Sequence, residues 1–522
     1  MTRTESAAPI VPSAATPIIG KPIAEVTGAR AMAHNTLWSL VGKIVPMLGA
    51  LVSIPILIRA LGTDRFGVLT LAWILVGYFS LFDLGLSRAL TYFVARKEGA
   101  GQQEDLISMI WTALILMCGL GVFGAIVMAG LSPLLVARLL KVPVSIQPET
   151  LSSFYLLSLS LPLVIVAAGL KGLLQARHRF DLVNIAGVPI GLLNFVAPLA
   201  ILPYYHDLFH VIALLVAVRA LDVLVHGWLC QRVFSGFLGG RSFHRVHVRE
   251  LLSYSGWLTA SNILGPFSLY IDRFMIGSII SVTAVAFYTV PYEMITKMLI
   301  VSGAIGGVSF PAFSSSFVAD PARAADIYLR GLKTLFVLTF PAILIVVLFS
   351  TELMSAWLGA TFALQSVRVL QVLAIGIFIF GMESIPYMLV QGAGRPDITT
   401  KLLMFELPFY VGLIWWLTKQ YGINGAAIAW LVRVSADTVL LMFIGNRILP
   451  VARTNLAQLV WGFLVCIGAL FAAMAVSSVA MKISFLAIGL AGFALFAWLI
   501  LLSNSERAFF RSIIAFRAQA AS

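Results

Sequence analysis

The chain has 522 residues, 60% hydrophobic and only 11% charged, with a mean hydropathy of +0.99 and a formal net charge of +13. A soluble domain carries about 25% charged residues, so a water-soluble fold is excluded and a polytopic membrane protein is implied. The three cysteines, Cys118, Cys230 and Cys466, lie far apart in or at the ends of apolar runs, which excludes a disulfide framework and a zinc site.

Residues 1–33 are rich in Ala, Pro, Ser and Thr and have no apolar core after a basic start. They read as a disordered cytoplasmic tail without a cleavable signal. A bilayer-spanning helix needs roughly 20 mostly apolar residues. Fourteen such stretches follow, at 36–60, 66–95, 106–131, 150–176, 183–203, 209–231, 252–277, 284–312, 332–350, 367–392, 399–418, 424–446, 458–478 and 483–503. Lipid offers the backbone no hydrogen-bond partner, so the fold class is all-α.

Counting Lys and Arg in the connections sets the orientation. With the N-terminus in the cytoplasm, 22 fall inside, 7 outside and 6 within spans, out of 35. The imbalance favours fourteen spans with both ends inside. It also accounts for the net charge without nucleic acid.

The longest connection, 234–250, is basic and central. It divides the chain into a six-helix lobe at 34–233 and a second at 251–450, with helices 13 and 14 and a tail at 451–522. A repeat agrees with this division: "LLQARHRFD" (Leu173 to Asp181) resembles "LVQGAGRPD" (Leu389 to Asp397), and "VRALD" (Val218 to Asp222) resembles "VRVSAD" (Val432 to Asp437), at an offset of about 215. Arg219–Asp222 and Arg433–Asp437 recur in both lobes, as expected of architectural pairs.

Charges inside apolar helices are expensive and mark functional candidates. The first hairpin carries Lys43, Asp83 and Arg88; the second carries Asp272, Arg273, Glu293 and Lys297. Each has two readings, lining a cavity or pairing within the fold. Glu293 and Lys297 have the i,i+4 spacing of an intrahelical pair, whereas the adjacent Asp272 and Arg273 point about 100° apart and are expected to face different partners. Lys43, Asp83 and Arg88 align with Asn262, Ser302 and Gly307, so no repeated architecture explains them, and a substrate does. Asp83, Asp272, Glu293, Glu383 and Glu406 suit binding of H⁺ or Na⁺ coupled to transport. Prolines 46, 55, 266, 291 and 311 interrupt the helices of both hairpins, where bends suit alternating access.

Other patterns carry little. Gly119-x-Gly121-x-x-Gly124 lies inside an apolar helix with no strand before it. His206 and His210 have metal-like spacing at an outer helix end but read as structural. No metal site, cofactor or Walker A sequence is expected.

The stretches "LIRALGTDRFGVLTLA" (Leu57 to Ala72), "FDLGLSRALTYFVAR" (Phe82 to Arg96), "YIDRFMIGSIISVTAVAFYTV" (Tyr270 to Val290) and "LVQGAGRPD" resemble the multidrug/oligosaccharidyl-lipid/polysaccharide exporter superfamily. The resemblance covers roughly residues 35–450. It is to the polysaccharide-transport branch, which contains the Wzx-type flippases. It implies two six-helix lobes in a V around a central cavity, plus two extra C-terminal helices. It implies no enzyme but a flippase in the bacterial inner membrane that moves a polyprenyl-pyrophosphate-linked oligosaccharide to the outer leaflet. Lys43, Arg88, Arg273 and Lys297 would then be cavity cations for the pyrophosphate, with Asp83, Asp272, Glu293 and Glu383 as ion-coupling candidates. Membrane lipids, a polysaccharide polymerase and glycosyltransferases would be the partners.

Two alternatives stand beside it. A cation-coupled drug antiporter of the same superfamily would want an acidic cavity. A membrane glycosyltransferase, polymerase or ligase would want a large extramembrane loop with clustered acid–base groups, and the outer connections here are short.

Overall fold

The computed structural model describes residues 29–81, 83, 85–99, 106–177, 179–234, 236, 237, 239, 244, 247, 248, 251, 267–317, 320–449, 453–501 and 507. Residues 1–28 of the expected tail, most of the linker at 234–250 and the start of the seventh span lie outside them. Among the described residues every regular element is helical.

The first helix, α1 (Ala29–Leu81), begins before the expected boundary and bends at Gly62, where φ is 79° and ψ 164°. That is the "LGTDRFG" turn, and the missing Cβ makes the conformation accessible. The expected second span, 66–95, is two pieces. The helix stops at Leu81, and the Asp83 carboxylate accepts the backbone N–H groups of Gly85 (2.9 Å) and Ser87 (3.0 Å), capping α2 (Leu86–Gly99). Next come α3 (Leu106–Leu134), α4 (Gln147–Ser158), α5 (Ser160–Ala176), α6 (Phe180–Ile201) and α7 (Leu208–Val233). The break between α4 and α5 falls inside one expected span. Pro162 has no N–H to offer the Ser158 carbonyl one turn earlier.

The second half comprises α8 (267–279), α9 (Val282–Thr296), α10 (Leu299–Ser316), α11 (Pro321–Leu348), α12 (Ser350–Leu358), α13 (Ala360–Gly392) and α14 (Pro396–Ile448). The eighth span bends by 41° between α9 and α10. The eleventh and twelfth spans form α14, which turns back at Gly422 (φ 60°). Among the described residues nine helices are long and apolar enough to cross a membrane, ten if the bent pair is one span.

Helices α1 to α7 pack on one another, as do α9 to α14, and the main packing between the halves is α1 against α9. Several of these junctions lie beside the Gly62 turn, and others reach along α1 to Leu51 and Gly77. Gly67 abuts the Val282 carbonyl, and Thr283 donates a hydrogen bond to Asp64. The Lys141 backbone N–H donates to the Gly277 carbonyl (3.0 Å), and the Trp357 indole to the Leu51 carbonyl (2.7 Å). One apolar core runs through both halves here, from Leu57, Leu69 and Leu71 to Val285 and Tyr288. A separate core, including Leu90, Phe93, Met109 and Leu173, fills the opposite end of the first half alone. The opposite end of the first half thus has a core of its own, whereas the second half shares one core with the joined region.

The last helices, α15 (Arg453–Ala473) and α16 (Val479–Phe496), dock on the second half. Phe463 packs against Phe378 (ring centroids 4.9 Å apart) and Phe493 against Phe340 (4.6 Å). Lys482, 5% exposed, reaches the Glu352 carboxylate at 2.8 Å.

Candidate functional site

The charges singled out in the sequence fall in three environments. The first is exposed helix surface. Glu293 and Lys297 lie 11 and 15 residues beyond Val282, where α9 begins beside α1, or about 17 and 22 Å farther along at 1.5 Å per residue. Both are half-exposed, and Lys297 donates to Glu293 at 2.9 Å, as the i,i+4 spacing anticipates. Arg88 is exposed while its neighbours Ala89 and Leu90 are buried. Lys43 belongs to α1, but its side chain lies outside the described residues.

The second environment is a buried cluster in the second half. Asp272 and Arg273 are 1% and 0% exposed. Contrary to the expectation of separate partners, the arginine folds back on its neighbour: its Nη1 donates to Asp272 at 2.9 Å and to the Leu269 carbonyl at 2.6 Å. A long flexible stem overcomes the 100° offset of adjacent helix positions. Tyr288 donates to the other Asp272 oxygen (2.7 Å), and the guanidinium lies 4.0 Å from the Tyr292 ring centroid. Nearby, Arg433 pairs with Glu406, donates to the Ser268 carbonyl at 3.2 Å and faces the Tyr410 ring at 4.9 Å. Asp437, expected to hold Arg433, therefore does not take its closest ion pair. Glu383, 7% exposed, accepts from the Thr438 hydroxyl at 3.4 Å and has no cation at ion-pair distance among the described residues.

The third environment is the corresponding place in the first half. Asp222 binds Lys171 at 2.8 Å and lies 2.8 Å from His226 Nδ1. Here too the expected partner, Arg219, is not the one chosen. The carboxylate faces α5, whereas Arg219 lines a small pocket with Trp73 of α1 and Asn194 of α6. Sequence reasoning missed Tyr288, Tyr292, Trp73 and Asn194. Aromatic and amide side chains are ordinary membrane-helix residues until a charge packs against them.

The repeated turns behave alike. Arg179 bonds Asp181 (3.0 Å) and Arg395 bonds Asp397 (3.1 Å), and the carboxylate beside Arg179 holds its guanidinium above the usual value. His210 bonds Asp207 at 2.8 Å and stacks on Tyr205, and among the described residues no group of His, Cys, Asp and Glu is arranged to hold a metal.

Residues 32–317, more than half of the chain, match the model of a family described as polysaccharide biosynthesis protein. The chain belongs to that family. Among its relatives, it is 31% identical to a putative O-antigen transporter of Shigella flexneri, over 80% of this chain and 98% of that one. It is 21% identical to the lipopolysaccharide biosynthesis protein WzxC of Escherichia coli (81% and 82% covered) and 22% to a probable flippase, AglR, of Haloferax volcanii (75% and 79%). Among solved structures, a multidrug resistance MATE family transporter of the MOP superfamily in an inward-facing conformation superposes with a TM-score of 0.67 at 15% identity, covering 78% of this chain and 98% of that one. The outward-facing conformation of such a transporter gives 0.58 at 18%, covering 80% and 95%. The fold is therefore that of a MOP-superfamily transporter, all-helical and multi-pass.

Proposed function

We propose that this protein is a flippase that carries a polyprenyl-pyrophosphate-linked oligosaccharide from the cytoplasmic to the outer leaflet by alternating access. The observation that carries the reading is the near full-length match to a putative O-antigen transporter. The fold supports it: two groups of helices meet chiefly through α1 and α9, and a polar headgroup would pass between them while a polyprenyl tail stays in lipid. The balance of Lys and Arg places the joined end, with the Gly62 turn, outside. A state open towards the cytoplasm would load the lipid-linked precursor. The bacterial inner membrane, cytoplasmic termini, and a polymerase and glycosyltransferases as neighbours complete this reading.

Lys43, Arg88, Arg273 and Lys297 remain the proposed cavity cations, with different duties. Arg88 and Lys297 are accessible for a pyrophosphate. Arg273 is sealed among Tyr292, Tyr288 and Asp272, so it meets a substrate only after that cluster opens. Among the proposed coupling groups, Asp83 caps a helix, while Asp272 and Glu293 each hold a neighbouring cation. Glu383, bonded to a neutral hydroxyl, is the one of the four best placed to exchange a proton or Na⁺.

The test is a conditional depletion strain. Accumulation of a polyprenyl-pyrophosphate-linked glycan on the cytoplasmic leaflet, relieved by the wild type and not by Arg88→Ala, supports the flippase. Normal lipid-linked glycan with altered drug or cation efflux replaces it with the antiporter that shares this fold.

A further inference from the structure

Arg219 sits 11 residues into α7 from Leu208, about 17 Å from the joined end of the molecule and so near the middle of a bilayer core. A charge at that depth is costly unless something offsets it. The carboxylate one turn away, Asp222, is engaged by Lys171 and lies beside His226. Arg219 itself has no hydrogen bond or close ion pair among the described residues and faces a pocket instead. Two other polar atoms on that pocket's walls are buried without a partner: the Trp73 indole nitrogen and Asn194 Oδ1. The orientation of the Asn194 amide is fixed, since its Nδ2 donates to the Ile190 carbonyl at 2.7 Å. Ser160 adds a hydroxyl whose proton goes to the Leu157 carbonyl (2.6 Å), leaving its lone pairs to the pocket. Four helices thus contribute a guanidinium, an N–H donor and two acceptors to one place, and native folds rarely leave such groups unsatisfied.

We infer that Arg219, Trp73, Asn194 and Ser160 form an oxyanion subsite within the first group of helices. Donors dominate: the guanidinium and the indole N–H suit a carboxylate or phosphate oxygen. The free space, ≈ 10 Å³, holds about one water-sized group. The subsite therefore takes a single anionic oxygen, not a whole sugar ring. Two sources share that chemistry: the pyrophosphate linker and the carboxylate of an acidic sugar. The assignment rests on the flippase reading for its physiological ligand, but the binding itself does not.

The experiment is ligand-dependent thermal stabilisation and tryptophan fluorescence of the full chain in lipid nanodiscs, titrated with inorganic pyrophosphate, glucuronate and, as a neutral control, glucose. Saturable stabilisation by an anion, weakened about tenfold or more in Arg219→Gln, is expected. Asn194→Asp supplies an internal carboxylate for Arg219, so it should abolish anion binding while the protein stays folded. This covers the case in which Arg219→Gln fails to fold. Response to glucuronate alone points to an acidic sugar, and response to pyrophosphate alone to the linker. Binding unaltered in both variants, stabilisation by glucose alone, or no saturable response overturns the subsite. Anion binding without lipid-linked glycan accumulation on depletion would retain the subsite and remove the flippase. Accumulation without anion binding would do the reverse.

Discussion

Gly67 lies where α1 meets α9, and a side chain there should force the two halves apart. A Cβ built on Gly67 would sit 2.0 Å from the Val282 carbonyl oxygen and 2.7 Å from its carbon. Carbon and oxygen tolerate an approach of about 3.3 Å, so the backbones must separate by roughly 1 Å or more, and neither atom belongs to a flexible side chain. Overpacking of this kind costs about 1–3 kcal/mol, and valine, with two further methyls, falls at the upper end. Each 1.4 kcal/mol is about tenfold in a population ratio, so Gly67→Val should shift the joined state against its separated alternative by on the order of a hundredfold. The reporter is a cysteine pair at Asp64 and Thr283, which are hydrogen-bonded here, in a background with Cys118, Cys230 and Cys466 replaced. Oxidative crosslinking in membrane vesicles should be fast with Gly67 and at least tenfold slower with Gly67→Val. Gly303→Ala, whose Cβ would meet nothing within 4 Å, serves as control. A folded Gly67→Val protein that crosslinks at the parental rate would refute the claim that this contact holds the halves together.

Three further outcomes follow from the charges. Removing one partner of a buried pair strands the other, so Asp272→Ala should cost about 3–5 kcal/mol of stability, whereas Asp272→Leu combined with Arg273→Met should restore most of it; detergent melting curves that rank the double variant below the single would contradict this. At Glu352, outside the spans, burial pushes the carboxyl up, but the hydrogen bond and charge of Lys482 together with a backbone hydrogen bond outweigh it and leave it below its ordinary value. Its contribution to docking α16 is therefore fully present above about pH 4.3 and is lost as pH falls through the lowered value. Glu352→Gln should remove that acid-dependent part of the melting profile, and an unchanged profile would show that the pair does not hold the helix. Lys171→Met should destabilise the protein more than Arg219→Met, because of the two only Lys171 lies at ion-pair distance from the buried Asp222; equal losses would place Arg219 back in an architectural pair.

The glycine turns and one intrahelical ion pair are partly legible in the sequence. "LGTDRFG" marks the bend at Gly62, and the i,i+4 spacing of Glu293 and Lys297 identifies their pair. Asp83 was legible as an intramembrane charge but not as a cap, because its role depends on the chain stopping at Leu81. The repeated "LLQARHRFD" and "LVQGAGRPD" indicated equivalent places in the two lobes, and the Arg179–Asp181 and Arg395–Asp397 contacts are local enough to follow from spacing. Pairing over longer distances was not legible. Arg433 chooses Glu406, 27 residues away, over Asp437, and Asp222 chooses Lys171, 51 residues away, over Arg219.

By itself, the sequence determines that the chain lives in a membrane as a bundle of helices, and roughly where most of them lie. Each helix satisfies its own backbone hydrogen bonds in lipid, so apolar length alone decides. The superfamily is equally legible, carried by motifs at the hairpin turns. Only the tertiary structure decides which charges neutralise one another and which stay available. Near neighbours on a helix compete with groups on other helices, and in a low-dielectric interior the partner that packing brings into contact wins. That choice engages Asp222 and leaves Arg219 facing a pocket.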